Sequence, residues 1–406
     1  MSINTGNGNI SIMTVISILS LSLVVNIPGL AITPVIDTIR NEFNASDFEV
    51  QLLTMLPNIC ILPSMLLSNR LIIKYNKTKV SVLALIIYSL CGLSFFIANS
   101  ITTLIILSAI LGAACGIIIP LAASMITDIF IGKYRVKELG IKSGIANISL
   151  VFATFIVGWL ATSDNWRLPF LVYLIPIIPL LLTPGLHKGE AISQWRNDSN
   201  INAKNIDKSQ PINKKRLIAL MALYFFVTYS VMVLPYYLGL DENILHINDK
   251  WNSTITSIFY LVIFLSGFLL SYIIKKVNKW IVILSATTLT IGIAIIASGI
   301  PAWAMCACGA LMGFGYGIFQ PLIYNKTAEV AIDKRHNTLA LSWVMSMNYL
   351  AIATTPLIID AIRKLFDTQS NIFPFYLNAI LGVIFIIIIL LNRNSFVFVI
   401  NKEYYS

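Results

Sequence analysis

Twelve apolar runs, each long enough to cross ~30 Å of hydrocarbon, follow one another along this 406-residue chain. They lie near 11–36, 48–69, 80–98, 102–127, 139–162, 168–184, 216–239, 253–274, 280–298, 302–326, 338–360 and 373–392. In lipid every backbone N–H and C=O must be satisfied inside the protein, which leaves helices as the economical way for such runs to cross. Charged residues make up 11% of the chain, less than half the share of a soluble domain (about 25%). The expected fold class is all-α integral membrane, with twelve transmembrane helices. The net charge of +10 does not point to nucleic acid, because the bases sit in short connections between apolar runs.

The chain returns to one pattern after 201 positions. Leu111-Gly112-Ala113-Ala114-Cys115-Gly116-Ile117-Ile118-Ile119-Pro120 is matched by Leu311-Met312-Gly313-Phe314-Gly315-Tyr316-Gly317-Ile318-Phe319-Gln320-Pro321, so Gly112, Gly116 and Pro120 fall on Gly313, Gly317 and Pro321. Small residues every four places line one helix face and let a neighbouring helix approach closely. The proline removes a backbone donor and loosens the helix. Pro34 and Pro235, and Asp128 and Glu329, repeat at the same displacement. Two pseudo-symmetric six-helix bundles follow, over 1–184 and 216–392. A polar stretch at 185–215 reads as a cytoplasmic linker, a flexible tether with room for a short surface helix, and 393–406 as a cytoplasmic tail.

The bases set the orientation. With the N-terminus inside, the inner connections carry 23 Lys and Arg, and the outer ones only Arg40, Arg167, Lys250, Arg363 and Lys364. Both termini are expected in the cytoplasm. The first run lacks a basic leader and a clear small-residue cleavage site, so it is expected to be a retained span. Cys60, Cys91, Cys115, Cys306 and Cys308 lie within apolar runs without metal spacing and read as small hydrophobes. No phosphate-binding Gly-Lys-Ser/Thr loop, zinc spacing or nucleophile–base constellation is present in the sequence. The chain is not expected to be an enzyme or to carry a cofactor or metal.

Two passages carry a resemblance. Asn69-Arg70-Leu71-Ile72-Ile73-Lys74-Tyr75-Asn76-Lys77-Thr78-Lys79 is similar to the Gly-x-Leu-x-Asp-(Arg/Lys)-x-Gly-(Arg/Lys)-(Arg/Lys) loop of the major facilitator superfamily. Gly158-Trp159-Leu160-Ala161 through Asn165-Trp166-Arg167-Leu168-Pro169-Phe170 resembles a passage common in that family's drug and metabolite exporters. The resemblance covers nearly the whole chain. It implies two bundles that rock about a central site, and proton-coupled efflux of a small organic solute from a bacterial cytoplasmic (inner) membrane. The alternative it leaves open is an importer or uniporter of the same fold. The expected partners are that solute, protons and the bilayer, with the protein working as a monomer. In this chain the loop's glycines are Asn69 and Asn76, its acid is Ile73, and Ser108 stands where exporters begin their fourth-span signature with arginine. The residues left for a cytoplasmic gate are Arg70, Lys74, Lys77, Asp128, Arg135 and Glu329.

No Asp, Glu, Lys or Arg falls clearly mid-span in these runs. The nearest proton-coupling candidates are Asp37, at the outer end of span 1, and Glu49, at the outer start of span 2. An unpaired amide at lipid depth is unfavourable by several kcal/mol. Asn26, Asn58, Asn147, Gln320, Asn325 and Asn348 should therefore face protein or water, as solute ligands or as contacts between helices. Tyr224, Tyr229, Tyr260 and Trp343 are the candidate aromatic lining. Aromatics and amides without fixed charge suit a neutral or amphipathic organic solute.

Overall fold

Fifteen helices account for nearly all regular structure in the computed structural model, which describes residues 2–28, 36–160, 167–201, 212–238, 249–331, 336–368, 370 and 372–399. The first nine are α1 (Ile12–Ser20), α2 (Ile36–Phe43), α3 (Asp47–Lys74), α4 (Lys77–Ser94), α5 (Ile101–Ile129), α6 (Gly132–Leu160), α7 (Ile177–Leu181), α8 (Thr183–Ile201) and α9 (Lys214–Tyr237). The remaining six are α10 (Asp249–Phe268), α11 (Leu270–Val277), α12 (Ile281–Ala297), α13 (Ala302–Val330), α14 (Asn337–Leu365) and α15 (Phe373–Leu391). Among the described residues, nine segments are long and apolar enough to span a bilayer, and a tenth is a helix pair bent by 51°. Shorter apolar helices at Ile12–Val24 and Thr254–Phe268 stand at the first and eighth of the twelve expected positions. The fold is that of an all-helical membrane protein.

Three runs are broken where the sequence reading had them continuous. The sixth starts as a 3-10 turn, Leu168–Leu174, and bends again between α7 and α8. Pro169, Pro176 and Pro179 each remove a donor from this stretch. The eighth interrupts at Leu269, between α10 and α11. Within the first run α1 passes into a 3-10 turn, Leu21–Val24, and Pro34 lies outside the described residues. Among the described residues the strands are those of a short antiparallel hairpin, Ser2–Asn4 with Asn9–Ser11, closed by Gly6 and Gly8 at φ 84° and 105°, and an isolated bridge joins Ile212 and Ala331. The hairpin's Thr5 carbonyl accepts the Ile131 N–H at 3.0 Å, across the gap that separates α5 from α6.

The chain divides into two compact units. The first comprises Met1–Arg135, Ile145–Asn213 and Ala328–Tyr349, and its densest packing is α3 on α5. A Cβ on Gly112 would come within 2.5 Å of the Pro57 main chain, and one on Gly116 within 2.9 Å of Ile61 Cα. Backbones that close leave no room for a side chain. Phe95, Phe170 and Tyr173, all fully buried, pack with ring centroids 4.7 to 6.0 Å apart and fill the space beside α4.

The second unit comprises Val136–Gly144, Lys214–Thr327 and Leu350–Ser406. Here α13 lies on α10 through Gly309, Gly313 and Gly317, which face the main chain of Ile255, Phe259 and Ile263. This repeats the α3–α5 contact at the positions displaced by 201. Gly140 and Gly267 also meet main chain to main chain, so α6 and α10 touch at their glycines.

The stretch expected as a linker, 185–215, opens as helix. Helix α8 runs on to Ile201 and belongs to the first unit. Gly185 rests on Ser17 of α1, Gly189 lies against Thr14 and Ile18, and Leu186 is fully buried. The same four-residue spacing of small residues that joins α3 to α5 docks this polar helix. Residues 202–211 of the expected tether lie outside the described residues.

Candidate functional site

Three helices, α6, α9 and α13, meet at a buried hydroxyl network in the second unit. Tyr224 of α9 and Tyr324 of α13 share a hydrogen bond of 2.7 Å between their hydroxyls, and Gln320 donates its amide to Tyr224 at 3.0 Å. The Tyr316 hydroxyl stands 3.4 Å from Thr228. Lys142 of α6, only 2% exposed, places its ammonium 5.1 Å from the centre of the Tyr324 ring. Cation–π attraction of this kind strengthens when both partners are desolvated. The Gln320 carbonyl is fully buried and has no hydrogen-bond partner among the described residues. Lys142 and Tyr224 each lie ten residues inside their helices, and Gln320 ten from the end of α13. The group therefore sits at one level, about 15 Å in from the basic end of the spans.

Lys142 and Glu138 are the residues that sequence reasoning missed. The apolar run of the fifth span starts near 139, which leaves Glu138 outside it and Lys142 among the inner bases, but α6 begins at Gly132. Glu138 is 3% exposed. Four residues apart, the two share one helix face. A buried acid and a buried base in a charge-poor membrane protein are presumptive functional groups. The usable signal was the pair itself, opposite charges at helical spacing on the edge of an apolar run.

In the first unit a second cluster forms around Asp128, at the end of α5. Its carboxylate receives the Lys77 ammonium at 2.5 Å, with the two side chains 1% and 16% exposed. Lys77 also reaches the Ser124 hydroxyl at 2.6 Å. Asn337, opening α14, donates to Thr127 at 2.5 Å and to the other Asp128 oxygen at 3.3 Å, and Ser124 bonds Thr338. A carboxylate facing the start of a helix is stabilised by the unsatisfied N–H groups there. Glu190 of α8 accepts the N–H groups of Lys77 at 2.6 Å and Thr78 at 3.3 Å. It thus caps α4 from a distant part of the chain and fixes where Lys77 starts. Glu190→Ala is expected to lower stability by about 1–2 kcal/mol, read as a fall in the thermal unfolding midpoint in detergent, while Glu190→Gln retains most of it.

The remaining expected positions divide. Asn26 and Asn147 come together: the Asn26 amide donates to Ala146 O at 3.1 Å and faces Asn147 Oδ1 at 3.5 Å. Asn325 is 1% exposed, whereas Asn58 and Asn348 are half-buried. Tyr229 is buried, Tyr260 half-buried against the Phe259 ring, and Trp343 is 39% exposed. Glu49 is engaged in a capping box with Ser46, accepting its N–H at 2.9 Å and its hydroxyl at 2.7 Å. Arg70 and Lys74 are exposed, Glu329 is half-buried, and Arg135 donates to Phe130 O at 3.1 Å, closing the end of α5. Asp37 lies on α2, with its side chain outside the described residues. Pro120 and Pro321 lie inside α5 and α13, both of which continue through them. Among the described residues no three of His, Cys, Asp and Glu are placed to hold a metal ion.

Comparison with known proteins agrees with this architecture. The family described as the Major Facilitator Superfamily matches residues 10–241 and 216–397. A stretch of 86 residues, 21% of this chain, is 34% identical to the multidrug transporter protein MdtP of Bacillus subtilis (strain 168), and covers only 15% of that protein. Among solved structures, the proton:xylose symporter XylE bound to a bromodeoxyglucose superposes with a TM-score of 0.70, at 12% identity over 93% of this chain and 94% of that one. A XylE variant with two introduced tryptophans gives 0.77, at 14% identity over 97% and 96%. At such identities the likeness establishes the fold.

Proposed function

We propose that this chain, which belongs to the major facilitator superfamily and is therefore a secondary transporter rather than an enzyme, exports a small organic solute in exchange for protons. The membrane is the bacterial cytoplasmic (inner) membrane, both termini are cytoplasmic, and a monomer carries out the cycle by alternating access. The observation that carries this reading is the Lys142–Tyr324–Tyr224–Gln320 group. Aromatic faces and a free amide carbonyl suit a drug-like or metabolite-like molecule, and the buried Lys142 ammonium supplies a titratable site within reach of it. The partial likeness to a multidrug transporter supports the same solute class. The Asp128 cluster serves the cycle differently. Its bonds to Asn337 and Thr338 are made in one state and broken in the other, and Lys77 keeps Asp128 neutralised in both.

Internal pH recorded in proteoliposomes under an imposed proton gradient tests the proposal. The additions are lipophilic cations, neutral antibiotics and small organic acids in turn. Protein-dependent proton movement opposite to the movement of a cation or an antibiotic is expected. Movement in the same direction replaces export with symport, and silence across the panel ends the proton-coupled reading. Lys142→Met is expected to cut coupled transport by roughly tenfold or more, in line with removal of a positioned proton-transfer group, while leaving solute binding in place. If Asp37→Asn produces that loss and Lys142→Met does not, the proton is carried at the outer acid.

A further inference from the structure

A cleft of about 560 Å³ opens on the second unit between α9, α15 and the segment that follows α15. Its walls are apolar: Ala219, Ala222 and Phe226 from one helix, and Leu381, Ile384 and Phe385 from the other. The volume falls within the ~300–1,000 Å³ of ligand-sized sites. The following segment closes one side. It turns back through Ser395 N–H to Asn392 O at 2.8 Å and Val399 N–H to Ser395 O at 2.9 Å. Phe396 is pinned there, with the Arg216 guanidinium 4.4 Å and the Lys326 ammonium 4.9 Å from its ring centre.

The two ends of the cleft differ in chemistry. Lys215, Ala219, Ala222 and Phe226 lie on one stripe of α9 at intervals of four, three and four residues, so Lys215 continues the apolar wall by one turn. Lys214, Lys215 and Arg393 are exposed and have no ion-pair partner among the described residues. The first turn of α9 holds no acid, and the helix start adds its own partial positive charge. The Ser395 hydroxyl, on the wall, is fully shielded and has no partner among the described residues. Such a group calls for a hydrogen-bonding ligand.

We propose that this cleft holds an anionic phospholipid of the surrounding bilayer, its acyl chain between α9 and α15 and its phosphate on Lys214, Lys215 and Arg393. The wall residues lie about 8–18 Å from the basic end of α9 by helical rise, the depth at which acyl chains run. A zwitterionic headgroup leaves these bases uncompensated, and a soluble anion leaves the apolar walls bare.

Native mass spectrometry of the intact, delipidated protein with equimolar phosphatidylglycerol and phosphatidylcholine of identical chains tests this. One phosphatidylglycerol is expected to be retained in at least fivefold preference, and Lys214→Gln and Lys215→Gln are each expected to reduce retention roughly fivefold, the effect of one juxtamembrane base. Ala222→Trp fills the cleft with every base intact and is expected to remove the bound lipid. If its unfolding midpoint falls, Ala219→Leu takes its place. Equal retention of the two lipids overturns the proposal, as does unchanged binding after the cleft is filled. Displacement by millimolar inorganic phosphate also overturns it, by reducing the site to a surface anion patch. Every readout is lipid retention, so its failure is distinct from a failure of the transport reading.

Discussion

Leucine at Gly317 is expected to abolish transport and to leave little folded protein recoverable in detergent. A Cβ there would stand 2.8 Å from the Ile263 carbonyl oxygen and 3.0 Å from its Cα, and would strike the Ser266 hydroxyl. The first two atoms belong to the main chain of α10, so no rotamer change relieves the clash. Overpacking a dense interior typically destabilises by about 1–3 kcal/mol. Here the whole of α13 must move away from α10, losing the contacts at Gly309 and Gly313 as well. Gly112→Leu is the counterpart in the first unit, against Pro57. Alanine at either place gives a graded loss. Monodisperse yield on size exclusion, followed by the thermal midpoint, measures this. A leucine variant with undiminished yield and transport would refute the close-contact role of these glycines.

Asp128→Ala is the second large effect. The substitution strands the Lys77 ammonium in a site where the two side chains are 16% and 1% exposed, and removes one of the acceptors of Asn337. Breaking a buried pair on one side typically destabilises by about 3–5 kcal/mol. The lower end, about 3 kcal/mol, is expected here because Lys77 retains some access to water. Asp128→Asn keeps a hydrogen-bonding group and falls between. The double variant Lys77→Met/Asp128→Leu separates the two roles of the cluster. Replacing a buried pair by apolar groups of similar size is often neutral for stability, so its thermal midpoint should return to near that of the unmodified protein. Transport should not return, because the polar contact to Asn337 is still missing. Recovery of both would reduce the cluster to a packing element.

Much of the fold is legible in the sequence because the bilayer permits few solutions. The apolar runs had to become helices, and Gly112, Gly116, Gly313 and Gly317 marked a helix face open to close approach without saying which neighbour would take it. The failures share a cause: polarity at a span edge was read as loop. The run boundary at 139 leaves Glu138 outside the fifth span, and Lys142 counts among the inner bases, although opposite charges four residues apart favour a helix. The stretch from Gly185 reads as tether for its Asn, Asp and Lys, although Gly185 and Gly189 carry the spacing already found decisive elsewhere. In the site, Asn26 with Asn147 and Tyr224 with Gln320 were all expected positions, but which pairs meet depends on helix rotations that a single sequence does not encode. The hairpin at Ser2–Ser11 is too short for periodicity to register, and Gly6 and Gly8 were its only trace.

The composition of the first unit also sets a clock on biosynthesis. Asp128 and the Asn337 amide that bonds it are 209 residues apart. Ribosomes elongate at ~5–20 residues per second, so the carboxylate is in place roughly 10–40 s before its partner exists. Lys77, only 51 residues upstream, is already made when Asp128 emerges. The ion pair is therefore the earlier bond. It neutralises an acid entering the membrane during the interval in which α14 has not been translated, and the hydrogen bonds from Asn337 and Thr338 complete a site whose charge has already been balanced.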